Sequence, residues 1–313
     1  MLNRKIDNEI GVHFSNSKKA LFLTGARQVG KTYSIRKYAK LHGLNLIEFN
    51  FLLQPEAMDI INGAGDVKEL LLRISAYSRV PLVRSRTLIF FDEVQECPDV
   101  MTWVKALVDE GSYIYALSGS LLGVELKDIR SVPVGYMSEM QVYPMDFEEF
   151  VSAVGVPENV LDAVKKSWSE KTLVDAYIHE KMMQLFQLYI IVGGMPAAVQ
   201  TYIDSNNIQN VVKEQRDIIN LYKKDIARYD QDVRKKLYID EVFDLIPSEL
   251  NAKNKRFILK RLNENMTFGR HENDFIWLKD ADMALPTYNV EEPVSPLKLS
   301  EQRNLFKLFQ NDV

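Results

Sequence analysis

The sequence predicts an α/β fold with a parallel sheet over its first half, then an all-helical stretch, then a smaller α+β domain. Three observations carry this expectation. Up to about Asp146, short apolar runs alternate with helix-like segments, the pattern of strands joined by crossover helices. Most of those runs are apolar on both faces, as strands covered on both sides by helices must be. After Asp146 the strand signals stop, and they return only near the end of the chain.

The predicted strands are Lys19–Thr24 (KALFLT), Leu44–Asn50 (LNLIEFN), Thr87–Glu93 (TLIFFDE), Ser112–Ser120 (SYIYALSGS) and Ser138–Pro144 (SEMQVYP). TYSIRKYAKLHG and DVKELLLRISAYSRV between them have helical spacing. So do MDFEEFVSAVG, LVDAYIHEKMMQLFQLYIIVGG, AAVQTYI and IQNVVKEQRDIINLYKKDIARY further on, which read as a helical lid. From about Arg234, three helical stretches (LYIDEVFDLI, AKNKRFILKRLNEN, ENDFIWLKDADM) precede two candidate strands (LPTYNV, LFKLFQ). That is the element order of a winged helix. The expected division is therefore residues 1–150, 151–233 and 234–313, in keeping with a length of 313 residues.

Composition narrows the function. A net charge of −4 and a pI near 5.7 do not suit a protein that coats nucleic acid or anionic membrane over its whole surface; such binding would need a local basic patch. Cys97 is the single cysteine, so there is no internal disulfide and no cysteine metal cluster, and its setting reads as that of a small apolar filler. His13, His42, His179 and His271 lack metal-ligand spacing. The N-terminus carries no long apolar run and no stretch is long and apolar enough for a membrane span. The expectation is a cytoplasmic protein without a membrane partner.

Gly25, Ala26, Arg27, Gln28, Val29, Gly30, Lys31 and Thr32 fit G-x-x-x-x-G-K-[ST], directly after a strand and at the start of a helix. The residue types follow from the chemistry of phosphate. Gly25 and Gly30 let the backbone curl so that its N–H groups face phosphate oxygens. The helix that follows, through Tyr33, turns its positive dipole end to the same anions. The Lys31 ammonium would reach the β- and γ-phosphates, and the Thr32 hydroxyl would ligate Mg²⁺. The alternative is a chance glycine turn. A second element belongs to such a site, a carboxylate at the end of an apolar strand. TLIFFDE supplies Asp92 for the Mg²⁺ shell and Glu93 to orient and deprotonate water. The adjacent Glu argues against a small-molecule kinase, which delivers the γ-phosphate to a substrate. Together these make the expected first domain a P-loop NTPase of the AAA/ASCE type using ATP and Mg²⁺.

In AAA-type ATPases the strand after the Asp-Glu pair ends in a polar residue that senses the γ-phosphate or attacking water. Ser118 and Ser120 are the candidates, with Ser118 preferred for its place at the strand end; a plain capping serine is the other reading. LSG within ALSGSLLG lies after the Asp-Glu strand, the wrong order for the signature loop of ABC transporter ATPases.

GARQVGKT, IFFDEVQECP, SGSLLGV, SVPVG, YPMDFEEF and YIIVGGMPAAVQTYI occur in this order, and the set resembles a large, mostly uncharacterised family of prokaryotic AAA-like P-loop ATPases. The resemblance runs over nearly the whole chain. It implies an ATPase whose relatives usually continue into a C-terminal domain resembling restriction endonucleases. LFKLFQNDV resembles the entry to that domain, and the chain stops there, as expected of a fragment, a proteolysed product or a shortened member. Where the family often has a basic residue after the glycine of PVG, this chain has Tyr136; Arg130 is the nearby substitute, or a solvated surface arginine. GGMP, ending in Pro196, resembles a Gly-x-Pro turn whose proline packs near adenine in related signal-transducing ATPases; a plain helix-start turn is equally open.

The third helix of the winged-helix stretch would face DNA, but Glu272, Asp274, Asp280 and Asp282 outnumber Lys279 there, and phosphate would repel it. Lys253, Lys255, Arg256, Lys260 and Arg261 make a basic run on the preceding segment. A DNA or protein partner through this C-terminal region is the alternative output, with packing or a solvated face as the plainer readings.

Overall fold

The computed structural model describes residues 2–120, 135–228, 233–253, 257 and 277–312. The chain divides into two compact units, Met1–Leu185 and Phe186–Val313.

The first unit is a parallel α/β sheet. Helix α1 (Lys5–Asn16) leads into β1 (Ala20–Thr24), α2 (Lys31–Leu41) and β2 (Asn45–Asn50). Short α3 (Met58–Asn62) and α4 (Val67–Tyr77) then precede β3 (Thr87–Asp92), α5 (Val100–Glu110), β4 (Ile114–Ser118) and β5 (Met137–Gln141). Helices α6 (Phe147–Ala153) and α7 (Glu158–Glu170) follow, and α8 (Ala176–Val192) runs into the second unit. The strands pair in the order β2-β3-β4-β1-β5, all parallel. Every residue of β1 and β3 is buried, which is why those strands read as unbroken apolar runs rather than alternating ones.

Aromatic rings fill the core on one side. Phe49 stacks on Phe91 with ring centroids 5.6 Å apart and on Tyr77 at 5.2 Å, and Phe51 lies parallel to Phe91 at 6.2 Å. Ile61, Leu70, Ile74, Val100, Val104 and Leu107 close over them from α3, α4 and α5. Cys97 is buried in the same cluster. Burial pushes its thiol up to about 11, so it serves as packing.

Among its described residues the second unit is helical with one hairpin. Helices α9 (Pro196–Ser205), α10 (Ile208–Arg228) and α11 (Val233–Asn251) are followed by β6 (Ala284–Val290) and β7 (Glu301–Gln310), paired antiparallel with an irregularity between Tyr288 and Asn289. Val211, Ile218, Tyr222 and Ile226 form the buried stripe of α10, and Ile239, Val242, Phe243 and Ile246 that of α11, each at helical spacing. Tyr222 meets Phe243 edge-on at 6.3 Å, and Lys223 bridges to Asp244 at 2.6 Å and Asp240 at 3.7 Å. The predicted strands LPTYNV and LFKLFQ fall in β6 and β7. Arg130, Lys255, Arg256, Lys260, Arg261 and most of the expected third helix lie outside the described residues. Among the described residues no single helix is long and apolar enough to cross a membrane.

Candidate functional site

Sheet order places the site. With β4 between β3 and β1, the carboxyl ends of these strands come together at one edge, where open α/β sheets bind their ligands. The loop after β1 carries Gly25–Thr32, the end of β3 carries Asp92 and Glu93, and the end of β4 carries Ser118.

The loop has the backbone its sequence requires. Gly25 has φ +135° and Gly30, the residue before α2, has φ +101°, both open to glycine. A Cβ on Gly25 would sit 2.3 Å from the Val142 carbonyl oxygen. Gln28, at φ +65°, takes a left-handed conformation without being glycine. Ala26 and Val29 are fully buried, Arg27 is half-buried and Gln28 points to solvent. Lys31 is buried at the start of α2, and its Nζ donates to the carbonyls of Gly25 at 2.7 Å and Ala26 at 2.8 Å. The ammonium thus lies inside the curl of the loop. Tyr33 is exposed one residue beyond Thr32.

Asp92 gathers hydroxyl and amide donors from the neighbouring elements. Thr32 Oγ1 donates to its Oδ2 at 3.0 Å, Asn50 Nδ2 donates to the same oxygen at 2.9 Å, and Ser118 Oγ donates to Oδ1. Burial raises the Asp92 pKa above the ordinary carboxylate value; Glu93 and Glu48 add to the rise, and the Ser118 and Thr32 hydrogen bonds oppose it. Glu93 is half-buried and left-handed at φ 57°. Its Oε2 accepts from Gln95 Nε2 at 2.5 Å and from Ser120 Oγ at 3.2 Å.

Lys31, Thr32, Asp92, Glu93 and Ser118 therefore meet at one sheet edge. The two serines divide, Ser118 toward Asp92 and Ser120 toward Glu93. Asn50 and Gln95 join them without having been singled out by sequence. Asn50 ends β2 in register with Asp92, so a polar residue closing an apolar strand was the available signal; Gln95 had none. Pro196 belongs to the second unit, at the first turn of α9. Tyr136 lies under the ammonium of Lys105, 5.4 Å from its ring centre.

The residues present fit Mg²⁺. Thr32 and Asp92 offer hard oxygen donors beside one another, and the Asp92 carboxyl is buried and disfavoured as an anion, which a cation would relieve. Among the described residues no group of three or more His, Cys, Asp or Glu is placed to hold a metal. One carboxylate is enough where phosphate oxygens and water complete an octahedral shell.

Residues 17–151 match a family model described as an AAA domain. Residues 183–313 match a domain of unknown function (DUF8612), so a nuclease-like continuation remains an implication of the sequence resemblance. No curated protein matches the sequence. Among solved structures, the Walker-type ATPase of Pyrococcus abyssi is similar at a TM-score of 0.56 and 14% identity, over 99% of this chain and 94% of that one. The Aeropyrum pernix ORC1 protein in complex with DNA gives a TM-score of 0.36 at 14% identity, over 100% of this chain and 90% of that one. A RuvB variant of Thermotoga maritima gives 0.41 at 9% identity, over 91% and 90%. The first likeness is one of fold, and the latter two are too distant to bear on function. Sheet order, phosphate loop and matched domain agree: the fold is that of an AAA-like P-loop ATPase with a helical C-terminal region.

Proposed function

We propose that the protein is a Mg²⁺-dependent ATPase that binds ATP and ADP and couples hydrolysis to rearrangement of its domains. The observation that carries this reading is the meeting of the Thr32 hydroxyl and the Asp92 carboxylate, 3.0 Å apart, beside the loop that holds Lys31. Each residue then has a task. Backbone N–H groups from Gly25 to Tyr33 cradle the phosphates, and Lys31 exchanges its loop carbonyls for β- and γ-phosphate oxygens. Thr32 and Asp92 would hold Mg²⁺, which when bound would supply neutralisation of phosphate charge. Glu93 accepts a proton from the attacking water, with Gln95 and Ser120 fixing its carboxylate. Ser118 sits on Asp92 between loop and strand end, where it would register the γ-phosphate.

The working division is an ATPase domain over residues 1–150, a helical lid over 151–233 and a winged-helix-like domain over 234–313. Its support is element order, including α11 ahead of the β6–β7 hairpin. Pro196 as an adenine contact, and a DNA or protein partner through the basic run beginning at Lys253, rest on the sequence alone. A cytoplasmic location rests on composition.

Phosphate release, measured with and without duplex DNA, tests the proposal. Lys31→Ala is expected to abolish ATP binding. Glu93→Gln is expected to keep binding and to lower turnover by about 10²–10⁴-fold. Normal turnover by Glu93→Gln would remove Glu93 as the base, and binding by Lys31→Ala equal to that of the native chain would remove the phosphate-loop assignment.

A further inference from the structure

The motif YPMDFEEF has had no chemical task so far, and neither has Arg4, a charged side chain buried almost completely. They are connected. Arg4 precedes α1, and its guanidinium donates in three directions. Nη1 reaches the Val29 carbonyl of the phosphate loop at 2.8 Å, Nη2 the Tyr143 carbonyl at 2.7 Å and Nε the Glu149 carboxylate at 3.1 Å. Glu149 is as buried as its partner. It also accepts the Lys5 backbone N–H at 2.6 Å and closes a reciprocal cap with Asp146 at the start of α6. The residue just before this segment backs the other end of the loop: Val142 N–H donates to the Thr24 carbonyl at 2.8 Å, and the Val142 carbonyl fills the space a Cβ on Gly25 would need.

The loop is therefore gripped at both ends by chain that follows β5, directly at Gly25 and through Arg4 at Val29. A planar, permanently charged fork suits a task of joining two carbonyls and a carboxylate in fixed geometry. We propose that Arg4 and residues 142–150 form a brace that sets the shape of the phosphate loop, with Arg4 a positioning residue for nucleotide binding. This rests on the ATPase reading above. A Lys at position 4 keeps the charge but cannot make all three contacts, so Arg4→Lys retains part of the function.

The control is Lys37. Its ammonium also ties the N-terminus down, to Asp7 at 2.7 Å, the Leu2 carbonyl at 2.9 Å and Asn3 at 3.1 Å, but it has no contact with the loop among these. The experiment titrates a fluorescent ATP analogue with Mg²⁺ into the native chain, Lys31→Ala, Arg4→Gln, Arg4→Lys and Lys37→Gln, at a temperature where circular dichroism shows them folded. A brace predicts affinity weakened roughly tenfold or more in Arg4→Gln, an intermediate loss in Arg4→Lys, and Lys37→Gln within about twofold of native. Arg4→Gln within about twofold of native, or Lys37→Gln losing as much as Arg4→Gln, overturns the brace. If Arg4→Gln does not fold, Arg4→Lys against Lys37→Gln decides in the same way. A native chain that binds no better than Lys31→Ala sinks the nucleotide reading itself, a different failure.

Discussion

Asp92 carries an electrostatic conflict. It is buried, which raises its pKa, and it is held by three donors that favour its charged form. The sign follows from the direction of the shift. A carboxyl with a raised folded pKa binds its proton more tightly in the folded state than in the unfolded chain. It therefore costs stability at neutral pH and returns it as the pH falls through the raised value. On the proposed reading, Mg²⁺ would compete with that proton. Mg²⁺-dependent nucleotide affinity is expected to begin falling at a higher pH than an ordinary aspartate would give, and titrations of affinity across mildly acidic pH check this. A profile unchanged down to the ordinary carboxylate range would show that burial does not govern Asp92. At this scale the sequence was informative where contacts are local. Lys31 and Thr32 sit within one motif, and Asp92 and Glu93 end one strand. Asn50 and Arg4 act through partners far along the chain, and no spacing rule reaches that far.

At the scale of elements, the first half was legible because its strands are buried on both faces and its turns are marked by glycine. The predicted runs contain β1 to β4 and most of β5. Helix α1 was much less visible. Only Ile6, Ile10 and His13 are buried on it, too few to stand out from a polar N-terminus, although the spacing is helical. The hairpin β6–β7 matches the two late strand signals, but β7 starts earlier than LFKLFQ, at Glu301, and residues 291–300 between the strands hold a short helical turn at Leu297–Ser300 that nothing in the local pattern announces. Phe49 touches both Phe91 and Tyr77 and has no exposed surface. Phe49→Ala is expected to cost about 3–5 kcal/mol, read as a lower denaturant midpoint. A loss under about 1 kcal/mol would mean that the neighbouring rings collapse into the space.

For the whole molecule, division into two compact units is what an element reading alone does not deliver. Helical spacing predicts α8 correctly but is silent on the fact that its residues are shared between units, because periodicity reports which face is apolar and not which neighbour covers it. The proposed coupling of ATP hydrolysis to domain rearrangement belongs to this scale, as a response of one unit to nucleotide chemistry in the other. Cys97 bears on how that response can be watched. It is the chain's single cysteine, it is buried, and its thiol is pushed up to about 11, so at neutral pH almost none of it is thiolate. The native protein is expected to resist a thiol reagent for hours and to react stoichiometrically once denatured; rapid native labelling would show that the first unit opens around Cys97. The folded chain is thus expected to stay silent to maleimide dyes and spin labels. One cysteine introduced on the surface of each unit would give a clean pair of probes, and distances between them through the nucleotide cycle can be recorded without first rebuilding the core.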